Sequence, residues 1–206
     1  MYQETLTVIA AMIVYGVFHS LTAAIGVKAL FVTLMGQRAY LGFYRLFYNI
    51  VSGITLLPVF WLIADQPGEN IWSLDGAPAL LFRLLQLIGI AGVLVSFLQI
   101  DAFRFAGLRQ AMVFVEGGTL PLPEEPLSRK GLYGLVRHPL YLFSMMVLWF
   151  NPVMSAAYLG FVIGSTLYFV LGSLVEERKL LRYFGEEYRT YQQQVAWMIP
   201  GLKLPS

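Results

Sequence analysis

The stretch Arg137-His138-Pro139-Leu140-Tyr141 contains an arginine, a histidine, a proline and a tyrosine at the start of an apolar segment. Proline suits the first turn of a helix, because the N–H that it lacks has no helical partner there, and it disfavours helical backbone at the preceding residue. A helix is therefore expected to begin at Pro139, with Arg137 and His138 just outside it. Unpaired N–H groups and the helix dipole favour an anionic ligand group at such a position.

The composition around this stretch indicates an integral membrane protein. Of the 206 residues, 58% are hydrophobic and 13% are charged, against roughly 25% charged in ordinary soluble domains. The length suits about four to six spans of about 20 residues each, so there is no room for a separate soluble catalytic domain. The chain has no cysteine, which excludes disulfides, thiolate metal sites and a cysteine nucleophile. The net charge of +2 gives no case for nucleic-acid binding.

Apolar runs as long as a bilayer is thick predict an all-α polytopic membrane helix bundle of about five transmembrane helices. A C-terminal cytoplasmic amphipathic helix is expected after them. We interpret the chain as one domain with a three-span scaffold (1–100), a cytoplasmic connection (101–137) and a hairpin with its tail (138–206). The predicted spans and arms cover about 5–27, 40–64, 78–100, 139–150 and 153–175, with a loop at 65–77.

The segment 139–150 is too short to cross a membrane as a helix on its own. Its 12 residues give about 18 Å of helix, whereas the hydrocarbon core is about 30 Å thick. Either the helix begins earlier, near Gly131, or the segment is a short hairpin arm whose Asn151-Pro152 connection leads into the return arm. In an antiparallel hairpin, Glu176 and Glu177 would lie beside Arg137 and His138.

Lysine and arginine are unevenly distributed. Apart from Arg83 near the start of the third span, they occur from Lys28 to Arg45, from Arg104 to Arg137 and again from Arg178 onward, whereas 65–77 has none. Five spans place all three basic regions on one side, which the positive-inside rule makes the cytoplasmic side. The N-terminus is therefore expected outside and the C-terminus in the cytoplasm.

The polar residues of the hairpin suit two interpretations. Arg137 and His138 could bind a carboxylate while Glu176 and Glu177 bind an ammonium or ribose hydroxyls, as in a site for a zwitterionic ligand. Alternatively, the four residues form a salt-bridge network that staples the hairpin. His19, inside the first span, is likewise either functional or bonded to a neighbouring helix, because a histidine in a bilayer needs a partner or a cavity.

Two blocks of sequence resemble a known enzyme superfamily. GLYGLVRHPLY (131–141) and VEERKLLRYFGEEYRTYQQQV (175–195) resemble the C-terminal half of the isoprenylcysteine carboxyl methyltransferases, membrane enzymes that use S-adenosylmethionine (SAM). FHSLTAAIGVK (18–28) and AGLRQ (106–110) look like the bacterial methanethiol S-methyltransferases and the NnrU-like proteins. The resemblance implies a SAM-dependent methyltransferase of the bacterial inner (cell) membrane, acting on a small thiol or a lipophilic, isoprenylcysteine-like carboxylate.

The resemblance also implies roles for individual residues. A thiol acceptor must lose its proton before it attacks, and the candidates for a base or an anion-stabilising group are His19, Arg109 and Glu177. Arg137 would face the acceptor, which would enter sideways from the membrane lipids, and no metal is expected. The SAM site would comprise His138, Tyr141, Leu142 and Glu177, with Glu176 beside them.

Differences from the superfamily pattern leave other functions open. Family members usually have glycine where this chain has Phe143, which could narrow the cofactor pocket, a proline where Leu132 stands, and Arg-Val-Pro where 194–196 is Gln-Val-Ala. A relative that kept the fold and lost the chemistry would be a lipid-binding protein. The NnrU side of the resemblance implies instead a haem-binding protein or an isomerase, in which bis-histidine ligation would require both His19 and His138.

Overall fold

A computed structural model describes residues 2–202 and shows a mostly helical chain. The end of the predicted tail, beyond residue 202, lies outside the described residues. Two short strands, β1 (Asn70–Ser73) and β2 (Val153–Ser155), pair antiparallel. The helices are α1 (Tyr2–Thr22), α2 (Ile25–Met35), α3 (Gln37–Asp65), α4 (Gly76–Leu98), α5 (Ala102–Ala106), α6 (Leu108–Val115), α7 (Leu132–Leu135), α8 (Pro139–Trp149), α9 (Ala156–Phe184) and α10 (Glu186–Gln194).

Four of the described helices, α1, α3, α4 and α9, are long and apolar enough to cross a membrane. This confirms a helical membrane bundle, with four such helices rather than the five that were expected. The fifth predicted arm is α8, whose 11 residues give about 16 Å of helix. Pro139 is its first residue, and His138 precedes it in a non-helical conformation. The helix therefore begins where the proline predicts and is the short arm of a hairpin.

Hydropathy alone misplaces several element ends. The first span is predicted over 5–27, but α1 ends at Thr22 and the backbone is extended at Ala24 before α2 begins. Apolar residues continue across this break, so the hydropathy pattern does not reveal it. The predicted loop at 65–77 contains β1, and the return arm begins as β2. At its C-terminal end α9 continues past residue 175 to Phe184, because Glu, Arg, Lys and Leu all favour helix. The next residue, Gly185, has a φ of 57°, which glycine adopts readily, and the helix ends there.

The described residues group into two compact units. The first unit contains the chain up to residue 9, then 66–100, and the chain from 126 onward. The second unit contains 10–65 and 101–125. The interpretation as a single functional domain stays a prediction.

In the first unit, α4 and α8 pack closely because small residues on one helix face large residues on the other. A Cβ at Gly92 would collide with the ring of Phe143, and one at Gly89 would lie 3.0 Å from Val147. Phe143 is buried. Phe143, at the position where the resemblance leads one to expect glycine, therefore fills the space next to Gly92.

We expect Gly92→Val to lower the free energy of unfolding by about 1–3 kcal/mol, because the added methyl groups overpack the contact with Phe143. In the double variant Gly92→Val/Phe143→Ala, much of this loss should be recovered. Unfolding of the purified protein in detergent, followed by tryptophan fluorescence, measures both. Gly53→Val is the matched control, since nothing lies within 4 Å of a Cβ there. Strict additivity of the two changes at positions 92 and 143 would contradict the pairing.

In the second unit, α3 packs against α5 and α6 through close backbone contacts. A Cβ at Gly42 would lie 2.7 Å from the Cβ of Phe114 and 2.8 Å from its ring. The Asn49 side chain donates from Nδ2 to the carbonyls of Phe105 (3.1 Å) and Ala106 (3.0 Å). Asp101 accepts a hydrogen bond from the N–H of Arg104 and so caps α5.

Candidate functional site

The site forms where the start of α8 meets the last third of α9, α10 and the segment after α10. Val136 pairs with Ala196 in a parallel bridge. The N–H of Arg137 donates to the carbonyls of Ala196 (2.9 Å) and Trp197 (3.0 Å). The N–H of His138 also donates to the Trp197 carbonyl (3.2 Å). The backbone of residues 136–138 is therefore held extended by the segment after α10, and Pro139 starts α8 from it.

Glu177 is the centre of the buried part of the site. Its Oε1 accepts hydrogen bonds from Arg137 Nε (2.8 Å), His138 Nε2 (2.8 Å) and the Tyr188 hydroxyl (2.9 Å). Its Oε2 accepts from Arg137 Nη2 (3.1 Å) and Gln192 Nε2 (2.5 Å). A carboxylate offers about four lone-pair sites, and five donors already converge on this one. Glu177 is thus saturated by protein groups, and its side chain is only 9% exposed.

Arg137 is equally committed to the protein. Besides its two bonds to Glu177, its Nη1 donates to the carbonyls of Gln192 (3.0 Å) and Val195 (2.8 Å). Its side chain is 1% exposed. All three guanidinium nitrogens bond to α9, to α10 or to the residue that follows α10. That Arg137 faces the methyl acceptor stays a prediction.

Glu176, next in the chain, lies in a different environment. Its side chain is 47% exposed. Its Oε2 accepts a hydrogen bond from the Tyr141 hydroxyl (3.0 Å) and lies 3.5 Å from His138 Nδ1. The His138 and Tyr141 rings stack almost in parallel, with centroids 5.4 Å apart, and Tyr141 stacks in turn on Phe169 at 5.2 Å. The accessible face thus combines a carboxylate with a run of stacked rings.

Burial and the two acids together shift the pKa values of the neighbouring side chains. Burial by itself would lower the pKa of the His138 imidazole, but its hydrogen bonds to Glu176 and Glu177 and their charges outweigh burial, and the pKa is raised. Burial, with the charge of Glu177, raises the pKa of the Tyr188 phenol, and burial with the charge of Glu176 raises the pKa of Tyr133 to about 12. Imidazolium and neutral phenols are favoured, so His138 and Tyr188 act as hydrogen-bond donors to Glu177 rather than as bases.

The other predicted site residues are placed as follows. Leu142 lies in the first turn of α8, where its N–H donates to the carbonyl of His138 (3.1 Å). His19, in the second unit, bonds through its two ring nitrogens to the Tyr48 hydroxyl and to Ser52 Oγ. Arg109, also in the second unit, is half exposed and forms an ion pair with Asp101 (2.5 Å). Within residues 2–202, no group of three or more His, Asp or Glu side chains could hold a metal ion.

Three residues of the site were missed by sequence reasoning. Tyr188 and Gln192 are four residues apart on α10 and so share one face of it, a polar face that the sequence shows. Phe169 lies seven residues before Glu176 on α9, on the same face. Helical spacing from the two acids would have indicated Phe169, whereas the return of α10 onto α9 has no local signal.

The comparisons with known proteins agree with the predicted resemblance. A family model described as "Protein of unknown function (DUF1295)" matches residues 27–195. The methanethiol S-methyltransferase of Pseudomonas deceptionensis is 32% identical over 77% of this chain and 60% of its own length. That of Mycobacterium tuberculosis is 31% identical over 94% of this chain and 78% of its own length. The protein-S-isoprenylcysteine O-methyltransferase of Tribolium castaneum is 34% identical over 37% of this chain and 28% of its own length.

Coverage differs among these relatives. Four of the methanethiol S-methyltransferases are matched over 53–60% of their own length, so the chain spans little more than half the length of these relatives. No solved structure matches the chain.

Proposed function

Because the chain belongs to the DUF1295 family, and because methanethiol S-methyltransferases match most of its length, we propose that it is a SAM-dependent membrane methyltransferase with a small thiol as acceptor. The observation that supports this most is the contrast between Glu176 and Glu177. One acid is accessible beside stacked rings, and the other is the buried centre that holds the surrounding elements in place.

The exposed face fits the chemistry of SAM. The ligand carries an ammonium group, ribose hydroxyls and an adenine ring. The half-exposed Glu176 carboxylate can accept charge-assisted hydrogen bonds from the ammonium or the hydroxyls, and the rings of Tyr141 and Phe169 offer an aromatic surface. His138 and Leu142 lie at the start of the same helix. We assign Glu176, Tyr141, Phe169 and Leu142 to ligand contact. His138, predicted to contact the cofactor, has a side chain that is 4% exposed and lies beside an acid at both ring nitrogens, so we assign it to positioning together with Glu177 and Arg137.

The chain's own task in methyl transfer is mainly geometric. Bound SAM would supply a methyl group on a sulfonium, whose sulfur leaves as a neutral thioether. The protein has to align the acceptor with that methyl group and exclude water, which is catalysis by proximity and orientation. A thiol must also lose its proton. His19 and Arg109 stay candidates for that step, whereas Glu177 has no lone pair left for it.

The membrane location supports a lipophilic or small volatile acceptor. Apolar side chains on α4, among them Leu84, Leu87 and Leu94, are exposed, as expected of a helix that faces lipid. We propose the bacterial inner membrane, with the N-terminus outside and the C-terminus in the cytoplasm, from the distribution of Lys and Arg. The strand after α8 pairs with the strand before α4, so α8 ends on the side where α4 begins, and the short arm makes the fifth passage that this topology requires. An acceptor dissolved in the bilayer would then enter sideways between helices.

Two alternative functions, haem binding and a non-catalytic lipid-binding role, are less well supported by these contacts. Haem ligation would require both His19 and His138, but both ring nitrogens of each histidine already lie within 3.5 Å of a protein oxygen. The non-catalytic alternative depended on Phe143, and that ring packs against Gly92 of α4.

A transfer assay with a labelled donor tests the proposed function. Purified protein is given SAM with a deuterated methyl group and either methanethiol or N-acetyl-S-farnesylcysteine, and the products are identified by mass spectrometry. We expect labelled dimethyl sulfide and no labelled ester. Label only in the ester would overturn the assignment of a thiol acceptor. Transfer to neither acceptor would overturn the proposed function.

A further inference from the structure

The four-residue helix α7 is held by side chains from two other helices of the first unit. Gln99, the residue at which α4 ends, accepts a hydrogen bond at Oε1 from the N–H of Leu132 (2.9 Å). On the other side, the hydroxyl of Tyr191 on α10 donates to the carbonyl of Tyr133 (2.5 Å). A helix of a single turn is not stable alone, so the position of α7 depends on contacts of this kind.

Gln99 can hold α7 because Gln99 is itself fixed. Its backbone N–H donates to the carbonyls of Val95 (3.2 Å) and Ser96 (3.3 Å) at the end of α4. Its side chain packs against Gly131, whose φ is 60°, and a Cβ at position 131 would lie 2.4 Å from Gln99 Nε2. The block GLYG (131–134) therefore begins with a residue that has no side chain, which leaves room for the amide of Gln99.

The chain leads directly from α7 to the donor site. The N–H of Val136 donates to the carbonyl of Leu132 (3.1 Å). Two residues further on, the His138 ring lies 3.5 Å from Glu176 Oε2 and stacks on the ring of Tyr141. A continuous series of hydrogen bonds and covalent links therefore connects the end of α4 with the accessible acid, and every member of it belongs to the first unit.

We propose that Gln99 and Tyr191 are positioning residues of the donor site: together they clamp α7 and so fix the backbone that carries the His138 ring to Glu176 and Tyr141. This inference rests on the proposed function, because the ligand of the site is taken to be SAM. Both residues act through α7 and not by contact with the donor. A bond that only stabilised the fold would change the fraction of folded protein, but it would not change the affinity of the folded protein for SAM.

Three variants separate the clamp from a purely structural contact. We expect Gln99→Met, which keeps the length of the side chain and removes the acceptor oxygen, to raise the Kd for SAM about tenfold, because the N–H of Leu132 loses its partner. Gln99→Glu keeps an oxygen at the same place, so its Kd should stay within about twofold of the wild type. Tyr191→Phe removes only the hydroxyl and should raise the Kd about fivefold.

Calorimetric titration of SAM into the purified proteins measures these values, and a partly unfolded preparation lowers the number of sites rather than the Kd. Gln86→Met is the matched control on α4, since Gln86 Nε2 donates to the carbonyl of Val147 on α8 (2.9 Å) and not to α7; its Kd should equal that of the wild type.

Two kinds of result would overturn this inference and leave the proposed function intact. One is a wild-type Kd in Gln99→Met or in Tyr191→Phe, and the other is a Gln99→Glu protein that binds SAM as weakly as Gln99→Met. A folded wild type that binds no SAM would overturn the proposed function and the inference with it.

Discussion

Glu177→Gln is expected to lower the free energy of unfolding by about 3–5 kcal/mol, because it removes one partner of a buried ion pair and leaves the other charge uncompensated. The Arg137 side chain is 1% exposed, so water cannot replace the lost carboxylate. The amide keeps one oxygen that can accept from His138 and Tyr188, but its NH₂ group would face the donors Arg137 Nη2 and Gln192 Nε2, which then lose their acceptor. Unfolding in detergent, measured by titration with denaturing detergent, gives the difference.

Glu187→Gln is the matched control for this experiment. Glu187 pairs with Arg129, and both side chains are at least one third exposed, so the loss should not exceed about 1 kcal/mol. A similar, small loss in both variants would contradict the assignment of Glu177 as the buried centre of the site.

Glu176→Gln is expected to weaken SAM binding about thirtyfold, which corresponds to about 2 kcal/mol for the loss of a charge-assisted hydrogen bond. The carboxylate is half exposed, so the free energy of unfolding should change by less than about 1 kcal/mol. Isothermal titration calorimetry with the purified protein measures the affinity, and the denaturation experiment measures the stability.

Glu186→Gln controls for the loss of an acidic charge near the same helix end. Its carboxylate is 81% exposed and pairs with Arg189 on its own helix, so SAM affinity should not change. Equal affinity in the wild type and in Glu176→Gln would show that the half-exposed acid does not contact the donor.

The sequence predicts much of the site because its two halves depend on local rules. Pro139 defines where α8 begins, and that places Arg137 and His138 before the helix. The short Asn151-Pro152 connection predicts the antiparallel return, and Glu177 does lie against Arg137 and His138. The bilayer length of the apolar runs likewise identifies the four long helices.

The different roles of the two acids could not be predicted from the sequence. Glu176 and Glu177 are adjacent and identical, and which one is buried depends on the rotation of α9 about its axis. The rotation of α9 can be recognised only from the position of α10, which folds back after Gly185 and brings Tyr188 and Gln192 to Glu177. The break between α1 and α2 and the pairing of β1 with β2 also depend on tertiary contacts, which hydropathy does not encode.

The central claim is that the accessible acid binds the methyl donor while its buried neighbour holds the site together. Calorimetric titration of SAM into the wild type, Glu176→Gln and Glu186→Gln tests it most directly. We expect one binding site per chain with micromolar affinity in the wild type and in Glu186→Gln, and much weaker binding in Glu176→Gln. The absence of SAM binding to the folded wild type, or equal affinity in all three proteins, would contradict the account.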